Sequence, residues 1–358
     1  ATKLHPTIIG GVEKVVKQYA EVLAKNEIVW VLTFADVKYV TFERVGKILI
    51  ISVPRYIKYR SYSFSLVYFG LLLRCVRKAR VVNLHAPFPV FHEAAAFLAK
   101  RKYIVTFHSE IVSPGIVSKI LNISQKLFLR RATTTIVTSD FYKEKLYKFH
   151  HGNVSVIPLW LEKSSEHIDG QVFLDLPKRY VLFLGRFGRY KGLKVLQDAI
   201  VRAKLGDINF VIAGSGDYLP NSLKNMNNVK LIKRFVSEAE KLELIRRCEF
   251  FLFPSTDSGE AFGLMQLEAM REGKAIINTN LQSGVPMVSR HEQTGLTVPV
   301  NDPVAAGLAI RKLYQDEGLN DIYGAAAKHH YQANFDKKKS VSKLTSLFKK
   351  KSLMLHVS

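Results

Sequence analysis

Two carboxylates stand eight positions apart, Glu260 and Glu268, in the run Pro254-Ser255-Thr256-Asp257-Ser258-Gly259-Glu260-Ala261-Phe262-Gly263-Leu264-Met265-Gln266-Leu267-Glu268. The apolar, β-rich segment Phe250–Phe253 precedes them, and a helix is expected to begin near Phe262. A strand ending at Pro254, a loop of small residues and a new helix present backbone amides that suit anionic oxygens. Glu268, about two turns later, is placed to accept hydrogen bonds from a ribose diol. Glu260, at the loop tip, is placed to accept them from sugar hydroxyls. A second group, Gly185-Arg186-Phe187-Gly188-Arg189-Tyr190-Lys191-Gly192, follows the strand-like run Tyr180–Leu184. Arg186 and Lys191 fall on a strand-to-helix turn, where both can face one cleft. A guanidinium fork and an ammonium point charge together suit a diphosphate. No Asp-x-Asp occurs in the chain. The two cations are expected to stand in for a metal ion, and no acid–base pair suited to hydrolysis is evident.

These groups need elements to hold them. Strand-like runs occur at Ile28–Phe34, Ile48–Val53, Val81–Leu84, Tyr103–Phe107 and Thr135–Thr138, with amphipathic stretches between most of them. Val12, Val15, Val16, Tyr19 and Leu23 recur at helical spacing. The pattern repeats at Tyr180–Leu184, Asn209–Ala213, Val229–Ile232, Phe250–Phe253 and Ala275–Asn278, with helices expected over Gly192–Lys204, Glu238–Arg247 and Leu264–Glu272. Alternation of this kind predicts α/β architecture with mostly parallel sheets, here two Rossmann-like domains facing each other across a cleft. The polar stretch Glu162–Gly170 reads as the linker. The expected domains are residues 1–168 and 169–335, with a basic amphipathic helix at 336–358 able to pack back on the first.

The chain of 358 residues has an ordinary apolar content of 47 % and charged content of 23 %, enough for two cores. Its charge is unusual: 53 Lys and Arg against 30 Asp and Glu, a formal +23. From Lys38 to Lys148 stand 20 bases and 5 acids, so this stretch holds +15 of the excess. Such a surface attracts anions: nucleic acid, acidic membrane or phosphorylated ligands. The two cysteines, Cys75 and Cys248, lie far apart in apolar stretches without metal-ligand spacing, as in a reducing compartment. No signal peptide is evident. The most apolar stretch, Phe64–Val76, is interrupted by Arg74 and is too short for a bilayer span.

In the pieces Gly10-Gly11-Val12-Glu13, Thr106-Phe107-His108, Gly185–Gly192, Gly214-Ser215-Gly216-Asp217 and Glu260–Glu268, the chain resembles the retaining GT-B glycosyltransferases of family four. Typical members are bacterial enzymes that build surface polysaccharides. The pieces run in order from the start of the chain to about Asp302, and the Glu-x7-Glu segment is the most specific. The resemblance implies that Gly10 and Gly11 let backbone amides approach the donor phosphate, and that Arg186 and Lys191 neutralise the leaving diphosphate. Glu260 would hold the donor sugar, helped by the amides of Ala261, Phe262, Gly263 and Leu264. Glu268 would bind the ribose, Gly214 would belong to the donor site, and His108 would line the reaction centre. No cofactor is implied, since the nucleotide sugar is itself a substrate. The sequence departs from the family at its start. Only Ala1–Ile9, with Pro6 among them, precede Gly10, so the first strand is expected to be missing or the sheet one strand short.

The stretch Asn278–Pro286 looks like that of members acting on lipid-linked precursors, and the amino-terminal domain binds the acceptor in such folds. Arg55-Tyr56-Ile57-Lys58-Tyr59-Arg60-Ser61-Tyr62-Ser63-Phe64 interleaves cations with aromatics, which suits an anionic interface. The expected protein is a hexosyltransferase, mannosyl from GDP-mannose first and UDP-sugars next. It would work peripherally on the cytoplasmic face of the membrane with a lipid-linked saccharide acceptor. A nucleic-acid-binding protein also fits the charge, but leaves Glu260, Glu268 and Arg186 unexplained and shows no zinc, helix-turn-helix or RNA-recognition signature. A sugar-nucleotide-binding scaffold would keep the same residues without turnover. A dinucleotide oxidoreductase is disfavoured, because Gly214-Ser215-Gly216 lacks the third glycine and the later acid.

Overall fold

A computed structural model of the chain describes residues 2–3, 11–55, 57–59, 62–87, 98, 102–109, 116–148, 152–162 and 175–354. The chain divides into two units, Ala1–Leu159 with Lys338–Ser358, and Trp160–Lys337. The division falls ahead of residue 168; residues 163–174, which hold most of the expected linker, lie outside the described residues.

In the first unit, β1 (Thr2–Lys3), β2 (Val29–Ala35), β3 (Thr41–Val45) and β4 (Ile48–Pro54) form a sheet in the order β1-β2-β4-β3. The expectation of an absent first strand is therefore corrected: Thr2 and Lys3 pair in parallel with Thr33 and Phe34. Period-two alternation turns Val29 and Val31 of β2, with Ile48 and Ile50 of β4, toward Val16 and Ala20 of the helix Gly11–Leu23. From the other face of β2, Phe34 stacks on Tyr68 at 4.2 Å. Tyr68 belongs to the helix Leu66–Lys78, whose Ser65 cap accepts from the Tyr68 amide and whose buried Tyr68, Leu72 and Val76 recur every turn. The apolar stretch around Arg74 is this packed helix. A hairpin, β5 (Ile57–Tyr59) with β6 (Tyr62–Phe64), follows β4. β3 is antiparallel to β4 and exposed along its whole length, a departure from the parallel pattern.

The rest of that unit is β7 (Asn83–Ala86), β8 (Ile104–Phe107), β9 (Thr134–Val137) and β10 (Asn153–Val156), all parallel, in the order β10-β9-β8-β7. The basic helix Lys337–Met354 buries Ser340 and Leu344 and leaves Lys337, Lys338, Lys339, Lys343, Lys349 and Lys350 exposed.

The second unit is one sheet of β11 (Val181–Leu184), β12 (Phe210–Gly214), β13 (Val229–Lys233), β14 (Phe251–Phe253), β15 (Ile276–Thr279) and β16 (Gly295–Val298). All its pairs are parallel, in the order β13-β12-β11-β14-β15-β16. β11, β12, β14 and β15 are buried along their whole length, as apolar runs covered on both faces must be. Phe210, Phe250, Leu252 and Ile277 lie in its core with Leu196 and Ile200 of the helix Leu193–Arg202. The strand order reverses between β11 and β14. Loops leaving two such neighbours diverge, and the crevice between them is where open α/β sheets bind ligands.

Candidate functional site

The loops beyond β11 and β14 are tied together at that crevice. The first closes in a short 3-10 turn, Arg189–Lys191, and ends at Gly192. The Thr256 amide, in the second loop, donates to the Tyr190 carbonyl at 2.8 Å. Gly192 holds φ at 74°, and a Cβ there would stand 1.7 Å from the Pro254 carbonyl oxygen. Both facts demand glycine. Gly192→Ala should cost about 3 kcal/mol of stability through clash and strain together. Urea unfolding measures it; a variant within 0.5 kcal/mol of the parent, the scatter of ordinary surface substitutions, would mean that the loops part freely.

That lock delivers the Lys191 side chain. Its Nζ makes an ion pair with Glu260 Oε2, and it lies over the rings of Phe253 at 5.1 Å and Tyr190 at 5.2 Å. The two side chains are only 12 % and 16 % exposed, so the pair is poorly screened by solvent. Glu260 is held from its own side by a turn in which Asp257 accepts the Gly259 amide at its carboxylate and the Glu260 amide at its carbonyl. The helix Leu264–Arg271 starts where the expected span Leu264–Glu272 does, two residues past Phe262, because Gly263 before it is left-handed, at φ 82°. Phe262 is buried edge-on to Phe335. Among the described residues the amides of Gly263, Leu264 and Met265 meet no acceptor, as at an uncapped helix start. The Ala261 carbonyl accepts from the Gly284 amide at 2.9 Å.

Glu268 lies on that helix, 5 % exposed, with Lys241 Nζ 2.6 Å from its Oε2. Lys241 is a residue the sequence reading missed. It stands on the helix Glu238–Arg247, started by a capping box of Ser237 and Glu240, and also meets Glu238 at 2.6 Å. The capping box marks where that helix starts; nothing local marks its lysine's partner. Asn278, from the stretch compared with lipid-precursor enzymes, is buried. Its Nδ2 donates to Gln266 Oε1 and to the carbonyls of Val285 and Ser289. Its demonstrable work is to fasten the Glu268 helix to the segment after β15.

Arg186 lies apart from the pair: it is exposed and makes no hydrogen bond or ion pair among the described residues. The Gly214 turn packs on the Gly185 turn, with Gly185 donating to the Ala213 carbonyl, Phe187 to that of Ser215, and Phe187 bridging Gly216. In the first unit Gly10 lies outside the described residues. Gly11 is already the first residue of a helix rather than part of a loop. The aromatic-basic run 55–64 shows Arg55 beside Asp36 at 3.7 Å, while the side chains of 56–64 lie outside the described residues. His108 follows β8 directly and is buried. Burial pushes its imidazole down to about 4. Its Nε2 lies 2.8 Å from Nδ1 of His85, a second residue absent from the sequence reading. Among the described residues no three His, Cys, Asp or Glu side chains gather as a metal site would require, and no helix is long and apolar enough to cross a membrane.

Two α/β units built on mostly parallel sheets are the architecture of the GT-B glycosyltransferases. The chain belongs to these enzymes: residues 9–162 match Glycosyltransferase Family 4 and residues 164–330 match Glycosyl transferases group 1. It is 26 % identical to the O-antigen chain mannosyltransferase C of Escherichia coli over 92 % of each chain. It is 28 % identical to the D-rhamnosyltransferase WbpZ of Pseudomonas aeruginosa over 77 % of this chain and 74 % of that one. The fold matches the sucrose-phosphate synthase of Thermosynechococcus elongatus with a TM-score of 0.73, at 19 % identity, over 100 % of this chain and 96 % of that one.

Proposed function

We propose that this glycosyltransferase moves a mannosyl unit from GDP-mannose to a lipid-linked saccharide acceptor in surface-polysaccharide synthesis, with retention at the anomeric carbon. The observation that carries the reading is the Lys191–Glu260 pair at the switch point, beside the free amides of a helix start. The mannosyl choice draws on the name of the Escherichia coli relative. In the reaction the bond between the anomeric carbon and the diphosphate oxygen breaks ahead of attack, giving oxocarbenium character. The acceptor oxygen bonds to that carbon on the same face, and its proton passes to the departing diphosphate. Lys191, with Arg186 swinging in from solvent, neutralises the charge that develops on the leaving group, in place of a metal ion. Glu260 accepts hydrogen bonds from the sugar hydroxyls. Glu268 takes the ribose diol, released in part from Lys241. His108 contacts the donor sugar.

The acceptor proposal draws on the basic first unit, to which every residue of the +15 stretch from Lys38 to Lys148 belongs. A thermal-shift panel of GDP, UDP, ADP and dTDP tests the donor. At ~100 times its dissociation constant the right nucleotide adds ~2.7 kcal/mol, and GDP is expected to stand out. A UDP response instead would move the donor to a UDP-sugar, and no response to any would sink the reading. GDP-mannose turnover in EDTA, with the product anomer read by NMR, tests retention and metal independence. Binding to anionic vesicles at low salt tests the peripheral placement on the inner membrane face; no binding there would refute it.

A further inference from the structure

The strands β7 and β8 are parallel neighbours, and their register sets His85 beside Thr106. Side chains two apart share a face of a strand. Asn83 and His85 of β7 therefore line up with Thr106 and His108 of β8. The hydrogen bonds between them have a direction. The Thr106 hydroxyl donates to Asn83 Oδ1 at 3.0 Å, which turns the amide Nδ2 toward His85 Nε2 at 3.3 Å. An amide nitrogen only donates, so His85 Nε2 accepts. A neutral His85 then carries its proton on Nδ1, which faces His108 Nε2 at 2.8 Å. That nitrogen must accept in turn, because a second hydrogen cannot share the gap. The rings lie near-parallel, 18° apart with centroids at 5.1 Å, and Tyr19 meets the His85 ring at a 60° angle, 6.0 Å away.

We propose that His85 is a positioning residue: it fixes the tautomer of His108, leaving that imidazole neutral with its proton on Nδ1. His108 then presents an N–H donor to whatever it meets. It is not a general base, since its basic nitrogen is occupied and can gain a proton only if the whole relay reverses. Among the described residues His108 Nδ1 has no other partner. Deep burial, which pushes the ring's acidity to about 4, agrees with a group that stays uncharged at neutral pH. A neutral donor can hold a sugar hydroxyl or carbonyl oxygen without adding charge beside an oxocarbenium-like centre. Only this last use rests on the proposed transfer reaction.

The test is the ring-nitrogen pattern of His108 in the full-length, 15N-labelled free protein, read by long-range 1H–15N correlation and assigned with His108→Gln. The expected pattern is a protonated Nδ1 and an unprotonated Nε2. In His85→Phe it should shift toward the opposite tautomer, and in His85→Gln, whose amide can still donate, it should persist. Should His85→Phe not fold, the wild-type spectrum decides alone. A wild-type His108 protonated on Nε2, or an unchanged tautomer in folded His85→Phe, would overturn the proposal. The spectra need no substrate, so they stand or fall apart from the transfer reading. With GDP-mannose turnover in hand, His85→Phe should lower kcat by about 10–100-fold with KM for the donor nearly unchanged. His85→Gln should recover most of that loss, and equal losses in the two variants would count against the relay.

Discussion

Glu260→Gln is expected to lower kcat by about 10²–10³-fold, the range lost when one preorganised electrostatic contact is removed from a reacting centre. The substitution keeps the side chain's size and one acceptor oxygen but removes its charge. In the free protein that charge is half of a pair with Lys191, both groups largely out of solvent. Removing one partner leaves a cation that is poorly hydrated, so some stability is lost as well. The two effects separate by measurement. Turnover normalised to the folded fraction reports chemistry, and urea unfolding reports the orphaned lysine. A variant less stable than the parent but with full turnover per folded molecule would make Glu260 a purely structural partner of Lys191. The Asp257 turn that holds Glu260 is built from backbone and a separate carboxylate, so it survives the change.

What sequence could reveal about this site follows from the range of each interaction. The helix Glu238–Arg247 agrees residue for residue with its expectation, because a capping serine, an acidic first turn and a basic last turn are local signals. The strands of the second unit were legible for a similar reason. Strands buried on both faces read as unbroken apolar runs, and each of β11, β12 and β15 lies within a residue of its expected limits. β3 went unread because it is an exposed edge, where neither face must be apolar. β10 (Asn153-Val154-Ser155-Val156) and β16 (Gly295-Leu296-Thr297-Val298) mix polar or small residues with apolar ones, so neither reads as an unbroken apolar run. The charge pairs divide in the same way. Lys191 and Glu260 were both singled out, each marked by its own glycine-rich loop after a strand. Lys241 carried no such mark, and its meeting with Glu268 depends on how two helices pack. Arg186 shows the converse. It occupies the same loop as Lys191, yet only the residue beside the Gly192 lock is turned inward, and the direction of a loop side chain is not written in its spacing. His85 lies just past the run expected as a strand, and only the register between β7 and β8 brings it to His108.

Lys191→Met is expected to be the most damaging change to turnover, about 10³-fold or more, equivalent to roughly 4 kcal/mol of transition-state stabilisation. Methionine keeps the side chain's length and sets a polarizable thioether near the rings of Phe253 and Tyr190 that the ammonium faces, so little of the loss can come from packing. What disappears is the one inward-facing cation of the Gly185–Gly192 loop, while Arg186 points into solvent. The departing diphosphate gains charge as the sugar bond breaks, and a fixed ammonium at that place stabilises the transition state more than the bound donor. The loss should therefore fall mainly on kcat, with KM for the donor changing by less than about tenfold. Combining it with Glu260→Gln decides whether the two groups act as a unit. If they do, the double variant is scarcely slower than Lys191→Met alone, because the second change removes a partner already lost. If the losses instead multiply, Lys191 and Glu260 serve separate parts of the donor, and their pairing in the free protein is only a resting state. Should Lys191→Met keep wild-type kcat, neither arrangement holds, and charge neutralisation at this switch point is not how the enzyme drives the leaving group out.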